Sequence, residues 1–287
     1  MSINLISKTV ALALAYIGTS LPLFAAPVTF WYGGYIYEVY NPSNLMPIAV
    51  TAGMPFTGRI TYDSAHVSSA TTNTVPGGSF GNYYIEDLAG FTSVFQIGGH
   101  VVTNKSALDG YTGQIQVGNN YQGRDSLLIS ASPGGDLQLD GASLGNTQST
   151  PQRFSTMDIM FDDYSMTALT HPGLPTSAPN LSKFPDYRDW RWGCYLDDGL
   201  PTQLYGVVGV ITAISANEVV ILSETRISSS SMRVSWPKLN TGFTLQVSTN
   251  LAAGSWQTAT NQVTQTAFEN TATISTTGTP KFYRLKK

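Results

Sequence analysis

Turn signals interrupt this chain so often that no run is left for a helix of more than a turn or two. Gly98-Gly99, Gly118-Asn119-Asn120 and Pro133-Gly134-Gly135-Asp136 are local punctuation of this kind. Between such clusters lie short apolar runs with the two-residue period of a strand. Phe56-Thr57-Gly58-Arg59-Ile60-Thr61-Tyr62-Asp63 alternates cleanly, with Phe56, Ile60 and Tyr62 toward one face. Val28–Tyr40 is aromatic and β-branched, broken by Gly33-Gly34. Tyr83–Leu88, Phe91–Ile97, Val101–Thr103, Gln114–Val117, Leu127–Ala131 and Met157–Phe161 continue the pattern. Val207–Ile214 is apolar on both faces, as a central strand must be. Residues 179–191 are the best place for a short helix or an ordered loop. The expectation is an all-β protein. Its larger part should be a β-sandwich or jelly-roll-like domain of about nine or ten strands.

Composition agrees. Charged residues make up 11% of the 287, against 27 Gly, 15 Pro and 15 Tyr, where an ordinary soluble domain carries roughly 25% charge. The charge is also unevenly placed. Residues 26–223 sum to −9 and residues 224–287 to +5. A sign change of that size marks a boundary, and Ile227-Ser228-Ser229-Ser230-Ser231-Met232 is a polar tract beside it. The division expected is 1–25, 26–223 and 224–287. The last piece has strand-like runs at 233–236, 243–248, 256–259, 271–275 and 282–285, which fits a small immunoglobulin- or fibronectin-III-like sandwich.

Residues 1–25 read as a signal peptide: Lys8 closes a short basic stretch, and Val10–Phe24 is an apolar run shorter than the ~20 residues of a membrane span. Cleavage is expected after Ala25. The mature chain is then exported, to the periplasm, the cell surface or the medium, with no transmembrane segment. One cysteine, Cys194, cannot form an internal disulfide. It reads as core packing ahead of a nucleophile served by His171 or His100, since no catalytic context surrounds it.

The terminal piece carries a likeness. Val234-Ser235-Trp236-Pro237, then Gly242–Leu251, Gly254-Ser255-Trp256 and Phe282-Tyr283-Arg284-Leu285 together resemble a module that ends many exported planctomycete and verrucomicrobial proteins. The resemblance implies a fibronectin-III-like accessory sandwich without catalysis. Residues 56–63, 91–99, 173–176, 181–184 and 206–214 resemble an uncharacterised exported β-domain of PEP-CTERM-type proteins. The sorting tail of those proteins is missing here. That resemblance implies a fold and an exported location, and no activity.

The densest chemical cluster is Asp186–Gly199. Within it Tyr187, Trp190, Trp192 and Tyr195 could stack on sugar rings, while Asp197 and Asp198 bind hydroxyls. Against this stands plain packing, with Trp190 and Trp192 in the core under a long connection and Asp197-Asp198-Gly199 a turn. Asp162-Asp163 is a second acid pair. Together the four acids could serve a polysaccharide-active hydrolase or hold Ca²⁺, which takes six to eight oxygens. As turn residues they should instead point apart into solvent. No motif implies any other cofactor or a nucleotide, and −9 argues against nucleic acid. Three classes follow: a non-catalytic exported protein binding glycan, matrix or a protein partner, which leads; a hydrolase using acids among Asp162, Asp163, Asp197 and Asp198; and a structural envelope component without a ligand.

Overall fold

The computed structural model describes residues 26–105, 111–132, 136–145, 152–197, 202–237, 242–265 and 269–287. The expected signal peptide, Asp198 and most of the Pro133–Asp136 turn lie outside these residues.

The chain is all-β. Among the described residues thirteen strands form the larger part: β1 (Val28–Tyr40), β2 (Pro55–Tyr62), β3 (Val67–Val75), β4 (Gly78–Ile85), β5 (Phe91–Ile97), β6 (His100–Asn104) and β7 (Gly113–Tyr121) come first. Then follow β8 (Arg124–Ala131), β9 (Leu137–Leu139), β10 (Ala142–Ser143), β11 (Gln152–Asp163), β12 (Tyr187–Asp197) and β13 (Thr202–Ser215). They make one antiparallel sheet in the order β10-β9-β6-β5-β2-β1-β13-β12-β11-β8-β7-β4-β3. β13, the strand apolar on both faces, is seventh of the thirteen. A sheet this wide buries one face only by curling. Accordingly Phe56 of β2 and Phe95 of β5 lie against Trp190 of β12, with ring centroids 4.5 and 4.9 Å apart. The Leu137 N–H of β9 donates to Ser155 Oγ of β11 at 2.8 Å, tying an edge of the sheet to its middle.

The core inside the curl follows the period-2 rule. Met157, Ile159 and Phe161 of β11, and Trp190, Trp192 and Cys194 of β12, are all buried. Residues 164–186 close one end of it. Phe184 and Ala168 sit in the core, and the hydroxyls of Tyr62 and Tyr83 donate to the Pro175 and Pro172 carbonyls.

Seven further strands follow: β14 (Ser223–Arg226), β15 (Ser231–Pro237), β16 (Thr244–Ser248), β17 (Gln257–Thr258), β18 (Val263–Gln265), β19 (Glu269–Ser275) and β20 (Phe282–Lys286). They form two small sheets, β14-β15-β19-β18 and β17-β16-β20. Val234, Trp236, Leu245, Ala272 and Ile274 are buried between them in a second cluster, joined by Val220 and Leu222 from before β14.

Three local expectations change. Residues 179–191 hold only a three-residue 3-10 turn, Leu181–Lys183, and from Tyr187 onward the chain is strand β12. Gly118-Asn119-Asn120 is a bulge within β7; the hairpin turn is Gln122-Gly123, both at positive φ (54° and 79°), as a two-residue loop between twisted strands requires. Finally, β3 has a polar, exposed sequence with no apolar period.

Candidate functional site

Strand alternation divides the aromatic cluster in two. Trp190 and Trp192 are 0% and 1% exposed, so they belong to the core and offer no ring to a sugar. Their odd-numbered neighbours Tyr187, Asp189, Arg191, Gly193 and Tyr195 lie on the outer face of the sheet. Strands β1, β13, β12 and β11 are adjacent there, and the register sets Val210 and Met160 on either side of Asp189, and Val208 and Asp158 on either side of Arg191.

A polar network centres on Asp189, which is itself buried. Its Oδ2 accepts a hydrogen bond from the Tyr37 hydroxyl at 2.9 Å and lies 3.4 Å from Arg191 Nη2. Tyr37 is on β1 and reaches over β13, about 10 Å of sheet. Arg191 also donates to the Tyr187 hydroxyl and stands over that ring, 5.7 Å from its centroid. Burial, then the neighbouring Asp189 carboxylate, pushes the Tyr37 phenol upward, and the same two causes raise Tyr187. Both stay neutral hydroxyls at any physiological pH. Burial works to lower the Arg191 guanidinium, but Tyr187 and Asp189 outweigh it and hold it above its ordinary value. Next to this network, burial raises the carboxyls of Asp158 and Asp162, and Asp162 is held 3.3 Å from Arg124 Nη1.

The face still meets solvent. Tyr37 is 49% exposed, and the Arg191 side chain 43%. Farther along β12, Tyr195 stacks on Phe154 at 5.3 Å and 15°, and its ring covers Gly193, where a Cβ would come within 3.1 Å of it. Tyr187 and Tyr195 are thus two aromatic platforms on one face, about 26 Å apart along the strand, with a cation and a buried carboxylate between them.

Of the four acids singled out from the sequence, Asp162, Asp163 and Asp197 fall among the described residues, and their places in the hairpin keep them apart. Asp162 pairs with Tyr187, and Asp197 pairs with Gln152, so these two acids occupy opposite ends of one hairpin, about 33 Å apart. Adjacent residues point to opposite faces, so Asp162 and Asp163 also diverge. Neither is the solvated turn residue expected: their exposures are 4% and 0%. Asp163 instead organises the following loop. Its carboxylate accepts from the N–H groups of Ser165, Thr167 and Ala168 and from the Ser165 hydroxyl. These bonds lower its pKa to about 2. Among the described residues no group of three or more His, Cys, Asp or Glu is placed to hold a metal ion. Cys194 is buried beside the Leu144 carbonyl. His100 is tied to Asp140 and His171 to the Gly173 N–H.

Sequence reasoning named Tyr187 and Tyr195 but missed Tyr37, Asp189 and Arg191 as their partners. Tyr37 and Asp189 are 152 residues apart, and only the alternation of Tyr35, Ile36 and Tyr37 hinted at the first. Compared with known protein families, curated proteins and solved structures, the chain matches none.

Proposed function

We propose that this is an exported, non-catalytic protein that binds an extended polysaccharide on the outer face of its large sheet. The observation that carries the reading is the strip of exposed Tyr37 and half-buried Tyr187, Arg191 and Tyr195 arranged around the buried Asp189. Aromatic rings stack on the apolar faces of pyranoses, and fixed donors and acceptors between them orient hydroxyls. A shallow strip with platforms at both ends suits a chain of several sugars and not one enclosed monosaccharide. In this reading the curled sheet is a β-sandwich of jelly-roll kind, and residues from about 218 onward are a separate fibronectin-III-like accessory domain. Separate clusters of buried residues support that division.

Screening the purified protein on a glycan array, followed by titration with the best polysaccharide, tests the proposal. Tyr37→Ala and Tyr187→Ala should each weaken binding about tenfold, taking 1–3 kcal/mol as the worth of a stacking ring; Val75→Ala, on the far edge strand β3, should not. Release of reducing ends from a bound polysaccharide, abolished by Asp197→Asn, would instead make the chain a hydrolase.

A further inference from the structure

The smaller of the two terminal sheets is open on one side. Its order is β17-β16-β20, so among the described residues β20 has a strand neighbour only at β16. The register fixes which of its backbone groups face away from β16. The Leu245 carbonyl of β16 accepts from Ala259, on the β17 side, and polar groups of successive residues in a strand point to alternate sides. Gln246 therefore faces β20, where it pairs with Arg284. Tyr283 and Leu285 then turn their N–H and C=O groups outward, to the open edge. Their side chains face the buried cluster.

Beside that edge runs a groove of about 750 Å³, between β20 and the edge strand β14. Leu222, Met232, Val234, Ile274 and Tyr283 make its apolar part; Glu224, Lys281 and several serines and threonines line the rest, together with Tyr35 and Gly53 of the large sheet. Strand donors and acceptors without a strand partner among the described residues, beside a partly apolar trough, call for one kind of ligand. An extended chain can pair with the edge while every second side chain drops into the trough. The remaining side chains would lie beside Arg284 and Lys286 on the outside. Four of the last seven residues are basic. Lys287 is paired with Glu218 and Arg284 is held by Gln246 and the Trp256 ring, but Arg284 keeps its charge and Lys286 is exposed beside it, so those outer side chains should be acidic. The same charges oppose pairing of β20 with β20 of a second copy.

We infer that the β20 edge is a strand-accepting site that binds an extended peptide alternating apolar and acidic residues, supplied by another protein. None of the strip residues Tyr37, Tyr187, Arg191 and Tyr195 lines this groove, although Tyr35, two residues from Tyr37, does. A peptide bound there would complete the small sandwich with a further strand and could tether the exported chain to a partner.

The test uses the purified full chain and a fluorescent peptide alternating valine and glutamate, followed by anisotropy. Saturable binding is expected. N-methylation of the peptide amides on one edge should weaken it about tenfold or more, through lost backbone hydrogen bonds, while methylation of the alternate amides leaves it unchanged. A valine–lysine peptide should not bind. Lys281→Glu with Lys286→Glu, both exposed, should weaken binding several-fold without moving the melting curve. Absence of saturable binding, equal tolerance of both methylation patterns, or indifference to the charge reversal would overturn the inference. So would a dimer through β20 that the peptide fails to compete.

Discussion

Replacing Trp190 by alanine removes one of the two largest side chains from the core of the curled sheet. The ring is fully buried, stacked on Phe56 at 4.5 Å and 21° and edge-on to Phe95 at 4.9 Å and 75°. Truncating a buried tryptophan costs about 3–5 kcal/mol in lost transfer energy and residual cavity. Each aromatic pair adds about 0.5–1.5 kcal/mol. A total of about 4–8 kcal/mol is a large share of the roughly 5–15 kcal/mol that holds a domain folded. Tyr187→Ala, on the opposite face of the same strand, should cost within about 1 kcal/mol. Urea denaturation followed by tryptophan fluorescence and far-ultraviolet circular dichroism measures both. The expected pattern is collapse of the midpoint for Trp190→Ala with the slope retained, and a near-parental curve for Tyr187→Ala. A Trp190→Ala protein that melts within about 1 kcal/mol of the parent but loses polysaccharide binding would refute the reasoning, since Trp190 would then be a surface platform.

Further outcomes are expected elsewhere in the fold. Asp163 titrates at about 2 against an ordinary 3.8, so the unfolded chain takes up the proton first as pH falls. The stability this group contributes is complete above about pH 5 and is lost as pH drops through about 2; acid unfolding of Asp163→Asn should show a shallower dependence over that window, with faster proteolysis at 164–168. Cys194 is buried and its thiol is pushed up, first by burial, so it should resist iodoacetamide in the folded protein and react stoichiometrically in denaturant, as mass spectrometry will show. A fragment beginning at residue 218 keeps Val220 and Leu222, which pack on the terminal cluster, and should melt cooperatively; one beginning at 224 should melt lower and more broadly by circular dichroism.

How far the sequence foretold this fold depends on where each residue's partners lie. The core strands were legible because burial on one face leaves a period of two, as in Phe56, Ile60 and Tyr62; β13 is central as its apolar run suggested, although its outer face stays open, with Val210 exposed. β3 was hidden because an exposed edge of serines and threonines needs no apolar period. β12 was hidden because its outer positions, Asp189 and Arg191, interrupt the apolar residues with charge, which reads locally as a loop. The same charges are the centre of the candidate site. Their meaning lies in Tyr37, two strands away across the sheet, and only the strand order brings it near. The acid pairs misled for a related reason. Adjacency in sequence puts Asp162 and Asp163 on opposite faces, and the hairpin register sends Asp197 to its far end.

The central claim is that the outer face of β1, β12 and β11 is the polysaccharide surface. A titration of the isotope-labelled protein with the polysaccharide selected on the array, followed by amide and tyrosine-ring resonances, tests it most directly. The account predicts saturable shifts confined to Tyr37, Tyr187, Arg191, Tyr195 and their cross-strand neighbours, with Trp190 and Trp192 side-chain signals unmoved. Shifts centred on any other surface, with Tyr37 and Tyr187 silent at saturation, would contradict it.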